Sequence, residues 1–166
     1  LFAGGFYLLH TLCITAQTDV TNKIVNPSFE DDGLSGWKQS GMSAQNNDVF
    51  NIKQGKVYAE KWTGRGGAVG SGYVSQTVTG LAPGNYELKV AAQNIQEDTP
   101  TAAKTGACIF GENKETAVTV KGDYTVAFNV VTGEATIGFR AVNATGNYIC
   151  CDNFRLQLVG TDLSAE

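Results

Sequence analysis

The stretch NYELKVAA, residues 85–92, decides the fold. Side chains along a strand point alternately to its two faces, so Tyr86, Leu88, Val90 and Ala92 share one side and Glu87 and Lys89 take the other. Apolar-in and polar-out alternation of this kind marks an antiparallel strand with one buried face. The same period places Tyr124, Val126, Phe128 and Val130 inward in DYTVAFNVV, and Ala135, Ile137 and Phe139 inward in EATIGF. Further strands are expected over residues 49–52, 56–62, 73–79, 106–110, 116–120 and 148–158. Turn residues separate them: Pro83-Gly84 in GLAPGNY, then KGD at 121–123 and TGE at 132–134. No window carries a sustained 3.6-residue apolar repeat with caps. About nine or ten short strands at this spacing imply an all-β, antiparallel sandwich of the jelly-roll kind.

The composition agrees with a globular chain. It has 166 residues, 42% of them hydrophobic, with 20 Gly and only 3 Pro. A net charge of −4 and no basic cluster interleaved with aromatics leave little to hold a phosphate backbone, so nucleic acid is not expected as a partner. Residues 1–16, LFAGGFYLLHTLCITA, are uncharged and end on small residues, which reads as the remnant of a secretory signal peptide. They are too short, and too interrupted by His10 and Thr11, for a membrane span. Leu12 stands where lipidation of Cys13 would need a small residue, so ordinary cleavage is preferred. Residues 17–166 are then a single exported domain.

Removal of the leader leaves Cys108, Cys150 and Cys151, an odd number with no Cys-x-x-Cys spacing for a metal. Cys150 and Cys151 are neighbours on one strand and face opposite sides, so only one is expected in the core. Either one of them pairs with Cys108 or all three are free thiols. Two loops stand out as candidate binding elements, the glycine-rich residues 62–72 and the long polar residues 93–106.

Taken in order, NPSFE at 26–30, the following GW, SQTVTGLAPGNYELKVAAQ at 75–93 and YICCDNFRLQL at 148–158 resemble one family. It is the carbohydrate-binding modules of galactose-binding-domain-like β-sandwich type, as appended to secreted glycoside hydrolases of gut-type bacteria. The resemblance covers residues 22–159 and is more specific for the fold than for sugar binding. It implies a structural calcium where the first and last strands meet, held by Glu30 and Asp152 with a backbone carbonyl near Ser28. Asp48 is a weaker further candidate. Calcium takes six to eight hard oxygens, and acids from distant segments can join two chain ends through it. The plain alternative is that these acids make ordinary surface hydrogen bonds.

A sugar site needs an exposed aromatic ring for the C–H face and polar groups for the hydroxyls. In KVYAEKW the alternation puts Tyr58, Glu60 and Trp62 on one side. A core face would not place an unpaired carboxylate between two aromatics, so this side is expected to face a ligand. Gln93 and Arg140, outward on their own strands, complete the expected array. Trp62 also falls where related modules place a sugar-stacking tryptophan; its alternative role is packing under the glycine-rich loop. Tyr73 is assigned to core or rim, and Trp37 to packing beside Phe29.

The only histidine, His10, lies in the leader, so imidazole-based catalysis and the usual zinc sites are disfavoured. No glycine-rich phosphate motif opens a helix. The expected function is a non-catalytic, monomeric carbohydrate-binding module, secreted or at the cell surface, that targets a neighbouring glycan-degrading domain to its polysaccharide. The alternatives are a structural or adhesive calcium-stabilised sandwich without sugar binding and, last, a small hydrolase using carboxylates alone.

Overall fold

A computed structural model of the chain describes residues 17–161. Residues 1–16, the expected leader with His10 and Cys13, lie outside the described residues. Among the described residues there are eleven strands: β1 (Thr18–Asp19), β2 (Lys38–Ser40), β3 (Ser43–Gln45), β4 (Tyr58–Trp62), β5 (Gly70–Thr79), β6 (Gly84–Ile95), β7 (Ala107–Gly111), β8 (Lys114–Ala117), β9 (Gly122–Val130), β10 (Glu134–Ala144) and β11 (Tyr148–Gly160). They form two antiparallel sheets, one ordered β3-β4-β11-β6-β9 with β1 on β11, the other β2-β5-β10-β7-β8. The only helical element among the described residues is one short 3₁₀ turn.

The inner faces are those the alternation assigns. Tyr86, Leu88, Val90 and Ala92 on β6 are buried against Ile137 and Phe139 of β10, with Val126, Phe128 and Val130 of β9 in the same core and Tyr124 at its margin. Residues 49–52 are irregular, not a strand. Strands β1, β2 and β3 have only two or three residues each, too few to show a period. Strand β6 runs on to Ile95, so Gln93 belongs to a strand and not to the loop expected at 93–106.

The segment 26–37 packs on the main core between β11, whose Phe154 N–H it accepts at Pro27, and β5, whose Gln76 bonds the Gly36 carbonyl. Asn26, Phe29 and Asp32 all take left-handed backbone (φ 51°, 57° and 61°), which curls the chain back on itself. The curl drives Phe29 inward beside Trp37, ring centroids 5.4 Å apart, and both meet Phe154 of β11 at 6.0 and 4.5 Å. Trp37 is therefore structural, as expected.

Both Cys150 and Cys151 are fully buried, against the expectation that one would lie outside the core, and all three described cysteines are free. They do face opposite sides of β11. Cys151 enters the main core, while Cys150 enters a second, smaller cluster with Phe50, Tyr58, Ala91, Ile95 and Tyr148. That cluster exists because residues 46–57 fold over the outer face of the sheet and set the Phe50 ring 5.3 Å from that of Tyr58. Burial drives both thiols well above their ordinary pKa, so they act as small apolar groups.

Candidate functional site

The outward face of β4 does carry Tyr58, Glu60 and Trp62, but the three differ in exposure. Ala59 between them is in the main core, which fixes the face. Tyr58 is fully buried beneath Phe50, Glu60 is half-buried, and Trp62 is 56% exposed. Trp62 is not core. A groove of about 290 Å³ opens beside it, lined by Gln45, Asn47, Val49, Glu60, Trp62, Glu97 and Tyr148.

The Trp62 ring is held by its edge. Its Nε1–H donates to Glu97 Oε2 at 2.8 Å, and the same oxygen accepts from Asn147 Nδ2 at 2.8 Å. Asn147, fully buried, also donates to the Thr63 carbonyl at 3.1 Å and accepts the Glu97 N–H at 3.0 Å. One amide thus fixes the turn after β4 and the turn after β6. The Trp62 and Asn147 donors hold the Glu97 carboxyl below its ordinary range. An indole anchored this way presents its face to solvent with little rotamer freedom left to lose on binding.

The floor of the groove is a polar knot. Tyr148, directly across from Trp62 in the pairing of β11 with β4, donates its hydroxyl to Glu60 Oε2 at 2.6 Å. Tyr58 donates to Asn47 Oδ1 at 2.6 Å, and the two phenol oxygens stand 2.7 Å apart. Gln45 Nε2 reaches Glu60 Oε1 at 3.3 Å. Burial pushes the Tyr58 phenol up to about 12 and Tyr148 further still, so both remain donors at neutral pH.

Two of the expected ligand groups are elsewhere. Gln93 is 1% exposed and donates to Cys150 Sγ at 3.3 Å beneath the Phe50 cluster, out of reach of a ligand. Arg140 is exposed, but on the outer face of the other sheet, where it pairs with Glu115 and lies 5.0 Å above the Phe110 ring. Tyr73, its cross-strand neighbour there, is 40% exposed and so belongs to the rim. Sequence reasoning missed Glu97, Asn147, Asn47 and Gln45, which sit on loops or a three-residue edge strand. Tyr148 had a signal: it alternates with Cys150 and Asp152 on the same face of β11.

At the opposite end of β4, Glu30 and Asp152 converge on one loop. Glu30 Oε1 accepts the backbone N–H groups of Lys56 and Val57 at 2.8 and 2.6 Å, and Asp152 Oδ2 accepts that of Gln54 at 2.6 Å. Gly55 lies between these contacts in left-handed backbone, and a Cβ there would come within 2.6 Å of the Glu30 carboxyl carbon. Asp152 is fully buried, and its Oδ1 has no hydrogen-bond partner. Burial pushes its pKa up to about 7, with the Glu30 charge adding to the rise against the Gln54 N–H and Lys53. Ser28 follows Pro27, whose carbonyl accepts the Phe154 N–H at 2.9 Å, so the two chain ends do meet there. Asp48 is not part of this arrangement: its fully exposed carboxylate pairs with Lys53 at 2.9 Å. Among the described residues no three acidic, cysteine or histidine side chains cluster as metal ligands.

The two antiparallel sheets form a β-sandwich of the kind also seen in carbohydrate-binding modules. Neither a protein-family model nor a curated protein matches the sequence. Solved structures match in fold. One is TmCBM61 in complex with beta-1,4-galactotriose, at TM-score 0.57 and 20% identity over 79% of this chain and 94% of that one. Another is the CBM22-1 xylan-binding domain from Paenibacillus barcinonensis, at 0.51 and 17% over 81% and 93%. A third is a cyclase from Fischerella sp. TAU, at 0.62 and 13% over 89% and 100%. At these identities the likeness establishes the sandwich, which serves binding modules and enzymes alike.

Proposed function

We propose that this chain is a non-catalytic, monomeric carbohydrate-binding module. Exported or displayed at the cell surface, it holds a glycan-degrading partner at its polysaccharide by raising effective concentration. The observation that carries this is the Trp62 ring, 56% exposed and with its edge fixed by Glu97, standing beside the Glu60–Tyr148 floor. A ring for the C–H face of a sugar and convergent carboxylate, amide and hydroxyl groups for its oxygens are what the class of ligand requires. Hydrolysis of a glycoside needs one carboxyl kept protonated near neutrality, and Glu97, held ionised by Trp62 and Asn147, is not suited to that role. No helix among the described residues is long and apolar enough to cross a membrane.

Affinity electrophoresis in gels containing β-1,4-galactan, the polymer of the galactotriose unit bound to one fold neighbour, or xylan, named for another, tests the proposal. The chain is expected to be retarded by at least one glycan, and Trp62→Ala to weaken binding by tenfold or more, about 1.4 kcal/mol. Absence of retardation by any glycan at about millimolar concentration would leave a structural or adhesive domain instead.

We further propose that Glu30 and Asp152 hold a structural calcium, which fits the orphaned Asp152 Oδ1 and the close approach of the Glu30 carboxylate that Gly55 permits. The Ser28 carbonyl is the expected backbone ligand. Calcium would supply the counter-charge that lets both acids ionise side by side. Asp48, engaged by Lys53, is left out of the proposed set.

A further inference from the structure

We infer that the Trp62 groove takes the end of a glycan, its last one or two sugar units, and not an internal run of the chain. This rests on the sugar-binding reading of the groove. An internal run needs a track open at both ends, and across the strands of this sheet the groove is closed at one. Two rows of outward side chains cross from β4 over β11 to β6: Trp62–Tyr148–Ile95 and Glu60–Cys150–Gln93. In the first, exposure falls from 56% at Trp62 to 3% at Tyr148 and 8% at Ile95. In the second, Glu60 is half-buried, while Cys150 and Gln93 are covered. Both rows are closed from β11 onward.

The cover is residues 46–57. Phe50, fully buried, seats on Tyr58, Ala91, Ile95, Tyr148 and Cys150, with Ile52 packed beside it. The segment is tied down along its length. Asn47 Oδ1 accepts from Tyr58, Asn51 Oδ1 accepts from Lys121 Nζ at 2.8 Å just before β9, and the Gln54, Lys56 and Val57 N–H groups go to Asp152 and Glu30. A ligand entering between Val49 and Trp62 therefore stops against Tyr148. At that stop stands the Glu60 carboxylate, whose unused acceptor capacity suits the additional free hydroxyl that a terminal sugar carries and an internal one lacks. The groove volume of about 290 Å³ lies at the small end for ligand sites, which again suits a short terminus.

Titration calorimetry with β-1,4-galactotriose and with linear β-1,4-galactan of known chain length, and with xylotriose and xylan in parallel, tests this. One module is expected per polymer chain whatever its length, with affinity per chain within about threefold of the trisaccharide's and lost for both probes in Trp62→Ala. Several modules per chain, rising in number with length, would overturn end recognition while leaving the sugar-binding reading intact. Binding that survives Trp62→Ala would place the site elsewhere and overturn it too. If neither trisaccharide nor polymer binds, the inference and the sugar-binding reading fall together.

Discussion

Replacing Asn26 by Ala is expected to destabilise the protein by about 4 kcal/mol, lowering its melting temperature by roughly 10 °C. The side chain is the internal brace of the 26–37 curl. Its Nδ2 donates to the carbonyls of Asp31 (2.8 Å), Gly33 (2.8 Å) and Ser35 (3.2 Å), and its Oδ1 accepts the Asp31 N–H at 2.9 Å. Its own carbonyl accepts the Trp37 indole N–H at 2.9 Å. Alanine removes every one of the side-chain bonds and leaves partly buried backbone groups unpaired, at about 1–3 kcal/mol for each group that water does not reach. It also loses the tolerance of Asn for left-handed backbone, worth roughly 1 kcal/mol at φ 51°. Since Phe29 and Trp37 reach the core only through this curl, the loss spreads to their contacts with Phe154. Asn26→Asp keeps the acceptor but loses the donor, and sets a carboxylate among three carbonyls; it is expected to be no better than Ala. Urea melts of the three proteins check this, and a cost below about 1 kcal/mol for Asn26→Ala would mean that the curl is held by its apolar contacts alone.

Alternation in the sequence was enough to give the two inner faces, because one residue out of register turns every side chain to the wrong side. It could not show whether an outer face is covered. Tyr58, Gln93 and Cys150 are outward-facing and still buried, because Phe50 arrives from a segment whose own pattern, VFNI at 49–52, imitates a strand. Nor does alternation say which sheet a strand joins. Arg140 points outward as expected, yet β10 pairs with β5 and β7, which puts it across the sandwich from Trp62. Pairings between strands far apart in sequence carry no local signal. The supports of Trp62 were illegible for a related reason: Glu97 and Asn147 are ordinary loop residues until β6 and β11 bring their ends together.

In the absence of calcium, stability is expected to fall as pH rises from about 4 to about 7, by roughly 1.4 kcal/mol per pH unit from Asp152 alone. An aspartate in the unfolded chain ionises near 3.9, whereas burial pushes Asp152 in the fold up to about 7. Between those values the folded protein holds a proton that the unfolded chain releases. This contribution is therefore complete below the unfolded pKa and is lost as pH climbs through the folded one, to a total on the order of 4 kcal/mol. Other carboxylates titrate at the acid end, so the quantity to follow is the difference between the parent and Asp152→Asn, measured by urea melts from pH 4 to 8 with a chelator present. That difference should slope downward with pH. Calcium should reverse it, because the ion binds the ionised pair: at pH 8 its addition should raise the melting temperature of the parent but not of Asp152→Asn or Glu30→Gln. A flat difference curve with chelator would mean that water or the Lys53 ammonium already compensates the Asp152 charge. A sloping curve that calcium leaves untouched would remove the ion from the clasp and leave a protonated Asp152 as the group that joins the last strand to the loop at Gln54.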